Sequence, residues 1–255
     1  MKRCAPLNSL CMLYSVLTFL LIMAVPAQGA QQDGIQYEPS IDITLPAQAV
    51  EGGLVPLFIR INSVEQDPIT HVSMSVEGNP EKHRRVFSLN LKKPQASIFI
   101  STRFRAASAQ STIVVEVRRR SGASTTKRAD PLRVSKPVNF TDPETLNVVT
   151  KPSLFKTDEI GQPILIVRRK RGSNTEIEIK GTLHHPMSPS TDASPGLLVN
   201  AVELYYRDEP LVVFETFDAL SNDPFLQVNI DDLAIPGEAK MIWRDSRGGI
   251  FEKSN

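Results

Sequence analysis

The chain has 255 residues, room for two ordinary domains or one large one. Hydrophobic residues make up 41% and charged residues 22%, which excludes collagenous, low-complexity and wholly disordered chains. The formal charge of +1 argues against nonspecific nucleic-acid binding, which needs a strongly basic surface.

The first element is a leader. Lys2 and Arg3 precede an apolar run from Leu10 to Val25, and Pro26-Ala27-Gln28-Gly29-Ala30 supplies small residues for cleavage after Gly29 or Ala30. The run is shorter than the roughly twenty residues that span a bilayer, so a cleaved signal peptide over residues 1–29 is the reading, with an uncleaved anchor as the alternative. No later segment is apolar enough to enter a membrane. Cleavage would leave 27 basic and 28 acidic residues. It would also remove both cysteines, Cys4 and Cys11, leaving no disulfide, no thiolate nucleophile and no thiolate metal ligand.

From Ser40 the pattern is of short β-type runs between turn residues. Leu54–Ile61, His71–Val76, Arg85–Leu89, Ala96–Ile100 and Ser111–Val117 read as strands, punctuated by Gly78-Asn79-Pro80 and Ser121-Gly122. Val72, Met74 and Val76 alternate with polar residues and define a buried face. A second set comprises Ile164–Arg169, Thr175–Leu183, Leu198–Tyr206, Leu211–Phe217, Phe225–Ile230, Ala239–Trp243 and Gly249–Glu252. Ile177 and Ile179 should face inward, with Glu176, Glu178 and Lys180 outward. No stretch carries a helical stripe. The expected fold is all-β, two immunoglobulin-like antiparallel β-sandwiches over residues 30–135 and 161–255.

Residues 136–160 read as the linker. Around them Pro131, Pro137, Pro143 and Pro152 occur with no glycine from Ala123 to Ile160, which suggests a stiff, extended connection. Residues 30–150 carry 15 basic and 12 acidic side chains, and residues 151–255 carry 12 and 16. Opposite signs would favour docking of the two modules on each other, although so small an imbalance also arises by scatter.

Glu176-Ile-Glu-Ile-Lys-Gly-Thr-Leu-His-His-Pro-Met187 resembles the opening strand of SoxZ, with its His-Pro-Met end. Val199–Tyr206 resembles the second strand of that family, and Met241-Ile-Trp-Arg-Asp-Ser-Arg-Gly248 its closing Trp-x-Asp-x-x-Gly hairpin. Ser221-Asn-Asp-Pro-Phe225 is similar to its Ser-x-Asn-Pro-aromatic turn, with Asn and Asp displaced by one step. The first module is more loosely similar to SoxY, through Ala49–Pro56, Glu77-Gly-Asn-Pro80 and Ser101-Thr-Arg-Phe-Arg105. The chain thus resembles a one-piece fusion of the two subunits of a thiosulfate-oxidation carrier, a group that includes quinoprotein-dehydrogenase-associated members. The resemblance implies a periplasmic location and packing of the two sandwiches against each other.

The resemblance also implies a carrier arm, Gly-Gly-Cys-Gly-Gly, after the last strand of the first module. Its glycines would thread a partner's narrow cleft, and its thiolate would hold sulfur. Here Pro131–Val134 is followed by Ser135-Lys-Pro-Val-Asn-Phe-Thr141, with Asn139 near the expected cysteine and no glycine. Ser135 and Thr141 hydroxyls lack an evident base and cannot hold a persulfide. The expectation is a scaffold that binds periplasmic oxidoreductases of a sulfur-oxidation or quinoprotein system through Lys136, Asn139 and Thr141, without covalent cargo or cofactor.

The alternative is a module binding a noncovalent ligand or copper. His184, His185 and Met187 combine ligands that suit copper, but adjacent strand residues point to opposite faces. Basic clusters Lys82–Arg85, Arg118–Arg120 and Arg168–Arg171 fit solvated strand ends, or, on a shared face, a surface for an acidic partner protein. Carboxylate pairs fall at turns, and no nucleophile elbow, phosphate loop, dinucleotide fingerprint or zinc-protease motif occurs, so no enzymatic activity is expected.

Overall fold

Alternation builds each layer from its interior outward. In β3 (Val55–Asn62) the four aliphatic residues Val55, Leu57, Ile59 and Ile61 are fully buried while the intervening side chains face out. β3 lies between β1 (Ser40–Thr44) and β6 (Ser97–Phe104), all antiparallel. The facing layer of the first half contains β4 (Ile69–Glu77), β5 (Arg85–Gln95), β7 (Gln110–Arg119), β8 (Ser124–Arg128) and β9 (Leu132–Lys136), with β2 (Gln48–Glu51) parallel to β9 at its rim. The computed structural model describes residues 37–146, 159–189, 196–231 and 238–255. The leader reading of residues 1–29 lies outside them.

The second half repeats the plan. One layer holds β10 (Pro163–Arg169), β11 (Ile177–Leu183) and β14 (Phe225–Ile230). The other holds β12 (Val199–Tyr206), β13 (Glu209–Thr216), β15 (Ala239–Asp245) and β16 (Ile250–Ser254). The chain is therefore nearly all β, in two immunoglobulin-like sandwich halves.

The halves are not merely tethered. β14 pairs with β6, placing Val228 opposite Ile100, and β13 pairs with β5, placing Phe214 opposite Leu89. Among the described residues the result is a six-stranded sheet and a ten-stranded sheet that both run through the two halves. Phe87 and Phe214 meet edge to face beneath the second junction, with ring centroids 5.9 Å apart. Main-chain ladders and a shared apolar layer make this join.

Part of the expected linker is also structured. Val138, Phe140 and Leu146 are buried, and Pro143–Leu146 forms one short helical turn. This differs from an extended connection because three large apolar side chains in that segment find a surface to cover. Arg119 differs from its exposed neighbours in the basic cluster. Its side chain is buried, pairs with Asp67 at 3.0 Å and donates to the Tyr37 carbonyl.

At Gly181 on β11 side chains of the facing layer of the second half come close to the backbone. A Cβ there would collide with the Met241 sulfur and come within 2.9 Å of Trp243 Cζ2. Gly181→Ala should therefore cost about 1–3 kcal/mol by overpacking, measurable by thermal denaturation. An unchanged melting temperature would show that the two side chains move aside freely.

Candidate functional site

Residues Ser135–Leu146 leave β9 and fold back over the end of the first sandwich, forming a strap. The Val138 amide donates to the Ala106 carbonyl at 3.0 Å, fixing the turn-back point. Gly52 shares this corner. Its amide donates to Lys136 O at 2.9 Å, its carbonyl accepts from Ala106 N at 2.8 Å, and a Cβ would strike the Ala106 oxygen. Gly52, the first of the two glycines of the Ala49–Pro56 motif, is thus required by close backbone approach.

Phe140 anchors the strap. Its ring is stacked on the His83 ring, with centroids 4.1 Å apart and planes inclined by 10°, and it is only 5% exposed. His83 Nδ1 is bonded in turn to the carboxylate of Asp218, from the loop between β13 and β14. The strap of the first half is thereby held by a side chain of the second. Phe140→Ala should remove about 2 kcal/mol, the transfer value of one buried ring. It should also make Ser135–Leu146 the earliest site of limited proteolysis; a digestion pattern like that of the parent chain would refute this anchoring role.

The three sequence-predicted contact residues are exposed on or beside the strap. Asn139 Oδ1 accepts from the Thr141 amide at 3.1 Å and from Thr141 Oγ1 at 2.9 Å. Lys136 points elsewhere and pairs with Glu51 at 2.7 Å. An open hollow of about 350 Å³ lies beside Asn139 and Phe140.

Behind Asp218 lies Arg105, whose side chain is fully buried. Its Nη1 donates to Met187 O at 2.5 Å and Asp218 O at 3.0 Å, and its Nη2 donates to Pro186 O at 3.3 Å. Burial pulls its pKa down to about 10, opposed by the nearby Asp218 charge. The last arginine of Ser101–Arg105 and the His-Pro-Met run thus meet across the junction. Asn79 completes the corner. Its amide nitrogen donates to the carbonyls of His83 and Arg105, both at 3.0 Å, and its oxygen accepts from Ala107 N at 2.7 Å.

The proposed copper ligands lie on one turn; His184 Nδ1, His185 Nδ1 and the Met187 sulfur are engaged in hydrogen bonds, whereas His185 Nε2 is buried without a partner among the described residues. His185 is fully buried, and its Nδ1 accepts from the Met187 amide at 3.1 Å, so its proton resides on Nε2. The Met187 sulfur accepts from Val199 N at 3.2 Å, and the backbone of Met187 is left-handed at φ 47°. His184 lies on the opposite, part-exposed side and bonds Asp223 Oδ1 at 2.8 Å. Asp223, itself at φ 45°, also takes the His185 amide. It performs the turn-forming role that the displaced Asn-Pro pattern left unassigned. Among the described residues no group of three or more His, Cys, Asp or Glu is placed to hold a metal.

Sequence reasoning named Arg105 and Asn79 only as parts of motifs, and missed His83, Phe140 and Asp218 as a connected set. The signal available was the apolar Phe140 between two polar residues in a segment read as a stiff, extended linker.

The family described as sulfur oxidation protein SoxY matches residues 28–130, and that described as sulphur oxidation protein SoxZ matches residues 167–255. No curated protein matches the chain. Both motif sets lie within these spans and converge on the junction around Arg105. The chain carries a SoxY domain followed by a SoxZ domain in one polypeptide, and belongs with the fused SoxYZ-like proteins of the sulfur-oxidation carrier family.

Proposed function

We propose that this protein is a periplasmic docking scaffold of the SoxYZ type that carries no covalent sulfur intermediate and is not itself an enzyme. The observation that carries the reading is the strap. Where the family presents a glycine-flanked cysteine, this chain has Ser135–Thr141, anchored by Phe140 on His83, and no cysteine follows Cys11. A buried aromatic anchor is incompatible with an arm that threads a catalytic cleft. The exposed Asn139–Thr141 turn remains available as a contact surface. Its partners would be periplasmic oxidoreductases of a sulfur-oxidation or quinoprotein system.

A photocrosslinking amino acid placed at Asn139 in the native host should capture such an oxidoreductase, identified by mass spectrometry. Intact mass of the purified protein should equal that of the bare, processed polypeptide. Failure to capture any oxidoreductase would overturn the docking reading. A sulfur adduct on the mature chain would overturn the absence of covalent cargo.

A further inference from the structure

The hollow beside the strap has a definite chemistry. Pro80, Ala107, Val138 and the Phe140 ring supply apolar wall, and Lys82 supplies the cation among the lining side chains. Lys82 is exposed, stands on the short 3₁₀ turn Glu81–His83 and makes no ion pair or hydrogen bond among the described residues. The neighbouring cations are occupied. The Arg84 Nε donates to Asn79 O at 3.3 Å, and the Arg85 guanidinium lies over the Phe217 ring at 4.0 Å. The basic cluster Lys82–Arg85 therefore places the Lys82 side chain, unpaired among the described residues, at the rim of the recess.

We infer that this recess is the socket for a partner-protein loop in which an apolar side chain is followed by a carboxylate. The apolar group would lie against Ala107 and Val138, and the carboxylate would pair with Lys82. The volume of about 350 Å³ admits one large side chain and its backbone but not a folded domain, so the contact is an anchor within a wider interface. The inference rests on the docking reading above and specifies the partner's chemistry.

The test uses the full-length processed chain, labelled with nitrogen-15, and two N-acetylated, amidated dipeptides, leucyl-aspartate and leucyl-lysine. Leucyl-aspartate should shift the amide resonances of Ala107, Val138 and Asn139, and leucyl-lysine should bind about two- to fivefold more weakly, the scale of one exposed ion pair. Lys82→Glu should abolish that preference and Lys82→Arg should retain it. Absence of shifts at these amides, equal binding of the two dipeptides, or an unaltered preference in Lys82→Glu would overturn the socket. Crosslinking from Asn139 repeated in the Lys82→Glu background separates the two readings. Undiminished capture of the oxidoreductase would sink the socket and leave docking intact, whereas no capture by the parent chain would sink docking itself.

Discussion

Arg105→Met is expected to lower the stability of the whole chain by about 2–4 kcal/mol, the cost of removing charge-assisted hydrogen bonds and leaving their acceptors unsatisfied. The guanidinium ties Pro186, Met187 and Asp218 through their carbonyls. A thioether of similar length leaves the buried Met187 oxygen and the part-buried Pro186 and Asp218 oxygens without that donor. The left-handed Met187 backbone also loses the bond that holds it in place. Urea denaturation should show a lower midpoint with an unchanged slope, since the same surface is exposed on unfolding. Arg105→Lys should fall between, because one ammonium can serve some of these acceptors but lacks the fork. A loss under about 1 kcal/mol for Arg105→Met would show that the junction holds without this clasp.

The second large effect concerns acid. Burial lowers the His185 pKa from its usual 6.5 to about 4, against the opposing pull of Asp245 and Asp223 and with some help from His184. Between those values the unfolded chain takes up a proton that the fold refuses. The contribution of neutral His185 is therefore intact above about pH 6.5 and drains away as pH falls toward 4. The displacement corresponds to about 3 kcal/mol. Glu178 and Glu203, both held below their usual 4.5, lose their stabilisation only at lower pH. His185→Asn keeps an acceptor for the Met187 amide and removes the titration. Stability measured from pH 7 to pH 4 should then become much flatter. An identical slope in the variant would assign the acid sensitivity elsewhere.

Much of the architecture was readable because period-two alternation is local. Val72, Met74 and Val76 define a buried face without reference to any distant residue, and β4 follows that pattern. Short edge strands such as β1, β2 and β8 escaped. Ser124–Arg128 has no apolar residue, and its place depends on the ladder offered by β7. Glu178 shows the limit of the outward-means-solvated rule. It does lie on the outer face, but Arg168, Lys180 and Gln227 close over it and leave it 9% exposed. The site was legible only in fragments, since Phe140, His83, Asp218 and Arg105 lie far apart in the chain. Their association arises from the two inter-half ladders, and pairing between distant strands leaves no local periodicity to read.

Those ladders have a consequence for biosynthesis. Until β13 and β14 have been made, β5 and β6 each present an unpaired edge, so the emerging first half has two sites for adventitious strand addition. Two separate polypeptides would have to find each other to cover these edges at whatever dilution the compartment imposes. Covalent continuity instead delivers the missing strands at an effective concentration on the order of millimolar, independent of expression level. Correct strand pairing is thereby favoured over aggregation even when the protein is scarce.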